Sequence, residues 1–164
     1  MSRTKKHSRG GFSLLELVIV VVIIGIVAAI AIPRMSRGTA GASDSAVSGD
    51  LAVLRNAIDL FAAEHGGKFP TLANIEGQLT KYTDDSSTSA PVDTKDATHL
   101  YGPYLRKVPP LPVGANKGKT AFTATAPSAT TADAGWYYNA TTGEIKANCA
   151  DTEQDDSGTA YNTY

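Results

Sequence analysis

The sequence predicts an α+β fold: one long N-terminal α-helix, apolar in its first half and amphipathic in its second, packed on a small C-terminal antiparallel β-sheet. Three observations carry that expectation. Residues 17–32 (LVIVVVIIGIVAAIAI) contain no polar side chain. Val47, Leu51, Leu54, Ile58 and Phe61 then recur in steps of 4, 3, 4 and 3, the spacing of one helix face. Near the end, Trp136-Tyr137-Tyr138-Asn139 and Glu144-Ile145-Lys146-Ala147 flank the Gly-containing segment Ala140 to Gly143, the pattern of a hairpin. Helix first and strands last is the order of an α+β domain.

From Phe12 to Ile32 there are 21 residues, and only Ser13 and Glu16 are polar. As a helix this run reaches roughly 31 Å, about the hydrocarbon thickness of a bilayer. Arg3, Lys5, Lys6 and Arg9 precede it with no acid before Glu16, which predicts a cytoplasmic N-terminus and an outward-facing C-terminal domain. A secretory signal peptide shares the basic start and even offers a small-residue site at Ala29-Ile30-Ala31, but its apolar region is shorter and holds no acid. A plain membrane anchor explains length and orientation and leaves Glu16 without a reason, since a carboxylate at a helix centre costs about 3 kcal/mol on insertion scales. Snorkelling toward the cytoplasmic face is the bland use of that side chain. A buried core helix this apolar is out of proportion to so small a protein.

Pro33 has no N–H and is expected to kink the helix. Gly38, Gly41 and Gly49 follow among several serines, and three interior glycines cost roughly 3 kcal/mol of helix propensity. The stem is therefore weakest here, before the amphipathic stretch that carries Asp50, Arg55, Asp59 and Glu64 on its other faces. Gly66-Gly67 end the helix and Phe69-Pro70 prevent its restart. A helix from Phe12 to Glu64 would be roughly 80 Å long, a rod that an isolated small domain does not need.

Residues 71–82 (TLANIEGQLTKY) predict a short helix with Thr71 as N-cap and Leu72, Ile75 and Leu79 on one side. Residues 83–99 are mostly Thr, Ser and Asp and read as a surface loop, and the prolines of Tyr101 to Pro109 argue for an ordered loop. Residues 119–126 (KTAFTATA) have strand character.

Charge and motif content exclude several functions. After residue 11 the chain holds 11 basic and 16 acidic residues, a net of −5, so no nucleic-acid surface is expected. The lone Cys149 rules out an intrachain disulfide and has no activating neighbour in sequence. His7, His65 and His99 show no ligand spacing, and no nucleotide loop or nucleophile motif is present, so neither an enzyme nor a cofactor is expected. Asp151, Glu153, Asp155 and Asp156 are oxygen ligands suited to Ca²⁺, but Asp156 stands where an EF-hand requires glycine, and a solvated acidic tail is the simpler reading. Trp136, Tyr137 and Tyr138 are expected to give alternate aromatics to the sheet core.

The string Gly11-Phe12-Ser13-Leu14-Leu15-Glu16-Leu17 resembles the cleavage and methylation motif of type IV prepilins and type II secretion pseudopilins. The resemblance implies a leader peptide over 1–11 cut by a prepilin peptidase after Gly11, N-methylation of Phe12, and a role for Glu16 in assembly. It implies a transmembrane and assembly helix over 12–32, a helix-kinking Pro33, an extracytoplasmic helical stem over 33–66 whose residues 34–49 are either a juxtamembrane linker or a segment that stretches or unwinds on assembly, and a globular domain with a polar tail over 67–164. The physics is compatible: a carboxylate that neutralises the new α-amino group of a neighbouring subunit sets axial register, because a slip leaves both charges unpaired in a low-dielectric bundle. Gly25 and Ala29 form a small-xxx-small pair that permits close helix approach.

Gly67-Lys68-Phe69-Pro70-Thr71, the Tyr-Leu-Arg-Lys-Val-Pro segment and Gly135-Trp136-Tyr137-Tyr138 are similar to the major pseudopilin of type II secretion. That implies a helical homopolymer in the bacterial inner membrane and periplasm, with minor pseudopilins, an inner-membrane assembly platform and membrane lipid as partners. The family's C-terminal calcium loop is not recognisable here. Two alternatives stay open: a type IV pilin for adhesion, motility or DNA uptake, and a membrane-anchored binding domain that never polymerises.

Overall fold

The structure is a computed structural model that describes residues 13–127 and 133–164, with the side chains of 31–40 outside the described set. Its elements are α1 (Leu14–Glu64), α2 (Ile75–Thr80), β1 (Phe122–Thr123), β2 (Trp136–Asn139), β3 (Glu144–Ala147) and a 3-10 turn at Tyr161–Thr163. The chain divides into two compact units, Met1–Thr39 and Ala40–Tyr164, so the division falls in the glycine-bearing part of the stem.

In the second unit, the amphipathic stripe is the side of α1 that the domain covers. Val47, Leu51, Leu54, Ile58 and Phe61 are all buried, with Ile75, Leu79, Val108, Leu111, Trp136, Tyr138 and Ile145 in the same cluster. Fully burying side chains of this size is worth about 1.5–3 kcal/mol each before ordering entropy is subtracted, which makes this face the main hold on the stem. The helix ends where left-handed backbone is required: Gly66 and Gly67 have φ of 65° and 82°, and the Gly67 N–H reaches back to the Ala62 carbonyl at 2.8 Å. That five-residue return is the Schellman closure. The last turn is braced from the side, where the Tyr104 hydroxyl donates to Glu64 at 2.5 Å and His65 stacks on Phe61 with ring centroids 3.8 Å apart.

β2 and β3 pair antiparallel, Trp136 opposite Ala147 and Asn139 opposite Glu144, as the hairpin pattern predicts. Trp136 and Tyr138 point into the core while Tyr137 and Asn139 are half-buried. Burial does not strand the polar ends of these aromatics. The Trp136 indole N–H donates to the Pro109 carbonyl at 2.9 Å and the Tyr138 hydroxyl to Pro70 at 2.9 Å. The Pro109 acceptor belongs to the segment that the sequence assigns to an ordered loop, and Pro70 to the break after α1.

The structure departs from the sequence reading in four places. The sheet is mixed, because β1 runs parallel to β2 with Phe122 opposite Trp136. The chain between β1 and β2 is long enough to return to the same end, which a tight hairpin is not. The strand character of 119–126 is realised only at Phe122–Thr123. α2 begins at Ile75 and not at Thr71, since the Thr71 N–H donates to the Gln78 side chain at 2.9 Å and a turn from Thr71 to Asn74 comes first. The 83–99 segment is a loop as expected but is pinned, at its ends where Thr83 pairs with Tyr101 and within it where Tyr82 pairs with Val92 and buried Gln78 donates to the Ser87 carbonyl at 2.7 Å.

Candidate functional site

The first turns of α1 present exposed apolar side chains among the described residues. Leu14, Leu15, Leu17 to Ile24, Ile26, Val27 and Ile30 are all exposed, from 45% at Val20 to 81% at Leu14. They point to every side of the helix. A helix apolar all round is stable only when something surrounds it, whether lipid or other helices. Among the described residues no helix is long and apolar enough to cross a membrane. The side chains described in this run extend from 14 to 30, or about 26 Å of helix, and the apolar sequence continues through Ala31 and Ile32, whose side chains lie outside the described set.

Glu16 is the acidic residue of the first turn of α1, exposed beside these apolar side chains. The partial positive charge of the helix N-terminus favours a carboxylate at this position. The Leu17 N–H donates to the Ser13 carbonyl at 3.1 Å, so Ser13 sits immediately before the helix with Glu16 three residues on. That is the spacing of a capping box, a local signal that the charge-based reading of Glu16 overlooks. Gly11 and Phe12, the expected cleavage and methylation residues, lie outside the described residues. Pro33 lies within α1 with helical backbone, its side chain outside the described set. A Cβ placed at Gly25 would meet nothing within 4 Å, which leaves that face of the helix open to close approach.

The acidic tail is exposed at Asp151 and Asp156 but is tied to the domain by hydrogen bonds. Asp151 accepts from the Asn162 amide at 2.7 Å. Glu153 takes the Ala115 N–H on one oxygen at 2.5 Å and the Ala150 N–H on the other at 2.8 Å. Asp155 accepts from the Tyr164 hydroxyl at 2.5 Å, and its other oxygen takes the Ser157 hydroxyl and the N–H groups of Ser157 and Thr159. These donors, the Tyr164 hydroxyl foremost, hold its carboxyl well below the usual range. The Asp156 N–H points toward the Asp44 carboxylate at 3.5 Å. Glu153 and Asp155 hold different stretches of backbone while Asp151 takes a side-chain amide, and among the described residues no group of three acidic, His or Cys side chains converges on a point where a cation would sit.

Cys149 is buried, and burial, with Glu153 beside it, pushes its thiol up to about 12. At neutral pH it is a protonated core group and not a nucleophile. Two open hollows of about 380 and 350 Å³ are present. The first is lined by α2, the residues flanking it and Pro91, the second by Asp84, Asp85, Thr98, Leu100 and Tyr101. On the second, the Thr98 hydroxyl donates to Asp96 at 2.8 Å and lies 3.0 Å from the His99 Nδ1.

Residues 6–32 match the prokaryotic N-terminal methylation motif. The type IV major alpha-pilin of Moraxella bovis is 38% identical over 94 residues, which cover 57% of this chain and 57% of that protein. The type II secretion system core protein G of Aeromonas hydrophila is 26% identical over 110 residues, 67% of this chain and 71% of that one. The core protein G of Vibrio cholerae is 27% identical over 110 residues, 67% and 69% of the two chains. The chain thus spans less than two thirds of the Moraxella protein and slightly more than two thirds of the core proteins. No solved structure matches it.

Proposed function

We propose that this chain, which carries the prepilin methylation motif and is related to type II secretion core protein G and a type IV pilin, is a structural subunit of a type II secretion pseudopilus. The carrying observation is the helix of 14–30: apolar on all sides, with its large apolar side chains exposed, and bearing one carboxylate in its first turn inside the matched motif. Lipid covers this helix while the subunit waits in the inner membrane, N-terminus in the cytoplasm and domain in the periplasm. Other copies cover it in the filament.

Prepilin peptidase cuts after Gly11 and the new N-terminus at Phe12 is methylated. Glu16 of an incoming subunit then meets the α-amino group of a neighbour. Desolvation makes either charge costly alone, so only the correct register is tolerated. Pro33 and the glycines beyond it give the stem the weak helix needed to adjust as the subunit leaves the membrane. The inner-membrane platform and minor pseudopilins start and drive growth, and the extending filament moves folded cargo outward. The role is mechanical and not catalytic.

A type IV pilin is the second reading, favoured by the higher identity to the Moraxella protein. The two share this N-terminal chemistry. Loss of secretion without loss of surface fibres in a deletion strain selects the pseudopilus, and the converse selects the pilus.

The assembly role of Glu16 is tested with Glu16→Gln beside Glu16→Ala, reading filament formation by crosslinking in cells. Glutamine preserves a capping box but not the charge. Both variants reach the membrane and both fail to polymerise if charge pairing operates. Assembly of Glu16→Gln at wild-type level would sink that role and leave Glu16 a helix cap.

A further inference from the structure

The domain's apolar hold on α1 has a definite beginning. Among the described residues, Val47 is the first buried side chain along the helix. The turn before it is poor helix. Gly41 faces open space, and the Ser45 and Ser48 hydroxyls fold back onto the carbonyls of Gly41 and Asp44, contacts that weaken and bend helices. Hydrophobic packing therefore does not explain why this turn stays with the domain.

The polar contacts of the C-terminal segment do. The Tyr161 hydroxyl donates to the Asp44 carboxylate at 2.5 Å across 117 positions of sequence, and the Asp156 N–H approaches the other oxygen. Arg55, eleven residues after Asp44 and hence about three turns along the same face, donates to the Tyr164 backbone oxygen at 2.6 Å. The segment that reaches these two points is itself braced. Tyr161 is buried against the core, and Asn162 donates to the Cys149 carbonyl at 3.0 Å and to Asp151. Asp155 closes a small loop of its own and holds the Tyr164 hydroxyl. Two rigid anchors on one helix face, both gripping from a well-ordered segment, make a clasp.

We propose that residues 151–164 are a clasp that sets where the stem helix leaves the domain. With Asp44 and Tyr161 joined, α1 is docked from residue 44 onward. With that contact open, docking begins at Val47 and Leu51, and the turn from Gly41 to Ala46 is released as weak helix. The clasp thus fixes the length of α1 that is free to move apart from the domain, whatever the chain's N-terminal half is used for.

The test is hydrogen exchange by mass spectrometry on the full chain in detergent micelles, comparing wild type with Tyr161→Phe, Asp44→Ala and the double variant. Tyr161→Phe keeps the ring in the core and removes only the donor. A hydrogen bond to a charged group holds local opening down by about tenfold or more, so amides of 41–50 should exchange at least about tenfold faster in either single variant. Those of 54–64 and of β2–β3 should be unchanged, and the double variant should match Asp44→Ala, because that change already removes both the Tyr161 and the Asp156 contacts to the carboxylate. Unchanged exchange over 41–50, an equal rise across the whole domain, or additive effects in the double variant would each overturn the clasp. Asp44→Asn, which keeps an acceptor oxygen, should fall between wild type and Asp44→Ala; full wild-type loss of protection in Asp44→Asn alone would also contradict it.

Discussion

Replacing Gly135 with alanine adds one methyl group where the structure has no room for it. The new Cβ would stand 2.2 Å from the Lys119 carbonyl oxygen, 2.9 Å from its carbon and 3.2 Å from the Leu111 Cβ. Ordinary contact begins near 3.4 Å, so the two backbones must part by about 1 Å. Neither is free to retreat. The Lys119 oxygen accepts from Leu111 at 2.9 Å, while the Gly135 N–H donates to Ala121 at 3.0 Å and the Gly135 carbonyl accepts from Asn148 at 2.9 Å. Overpacking costs about 1–3 kcal/mol and each lost backbone bond about 1 kcal/mol, which gives roughly 3 kcal/mol in total. For a domain of this size that is a fall in melting midpoint of roughly 10 °C. Gly49→Ala makes the same chemical change at a helical position with nothing within 4 Å, and should gain about 1 kcal/mol, a rise of a few degrees. The assay is thermal unfolding of the full chain in detergent, followed by near-ultraviolet circular dichroism on Trp136 and the tyrosines. An unchanged midpoint for Gly135→Ala, or a fall for Gly49→Ala, would refute the packing argument.

Leu54→Ala, in the middle of the buried face of α1, should cost about 2–5 kcal/mol in the same melts, whereas Leu60→Ala on the exposed face should change stability by less than about 1 kcal/mol. Cys149 should resist a neutral alkylating reagent at pH 7.5 in the folded chain and react fully in denaturant, as intact-mass spectrometry will show; rapid labelling of the folded chain would contradict its burial. Acid stability has a definite sign. The Asp155 carboxyl is held below its unfolded value, first by the Tyr164 hydroxyl, so its contribution is complete above about pH 4 and is lost as pH falls through the folded value. Melting midpoints should hold steady down to about pH 5 and decline below about pH 4, with a shallower decline in Asp155→Asn.

What was legible in the sequence is what depends on near neighbours. The stripe from Val47 to Phe61 could be read because a helix repeats its environment every three or four residues, and all five residues are buried as that period requires. The Trp136–Ala147 hairpin could be read because alternation and a glycine turn lie within a dozen residues. The β1–β2 pairing was hidden because nothing in Phe122–Thr123 records which strand lies beside it or in which direction. The acidic tail misled for a related reason. Its carboxylates suggest solvent or a cation, but Asp151, Glu153 and Asp155 accept from Asn162, backbone N–H groups, Ser157 and Tyr164 that the folded loop brings to them, and Asp44 meets Tyr161 across 117 positions. At the N-terminus the local signals were strong, since Glu16 and the apolar run are contiguous, although the Ser13–Glu16 capping spacing was there to be seen as well.

The central claim rests on how the N-terminus is processed, and mass spectrometry of the chain purified from native membranes, with and without the prepilin peptidase, addresses it directly. The account predicts a chain that begins at N-methylated Phe12 when the enzyme is present and retains residues 1–11 when it is absent. A chain beginning at Ile32, or an intact leader in both strains, would contradict it and return the molecule to a secreted or simply anchored domain.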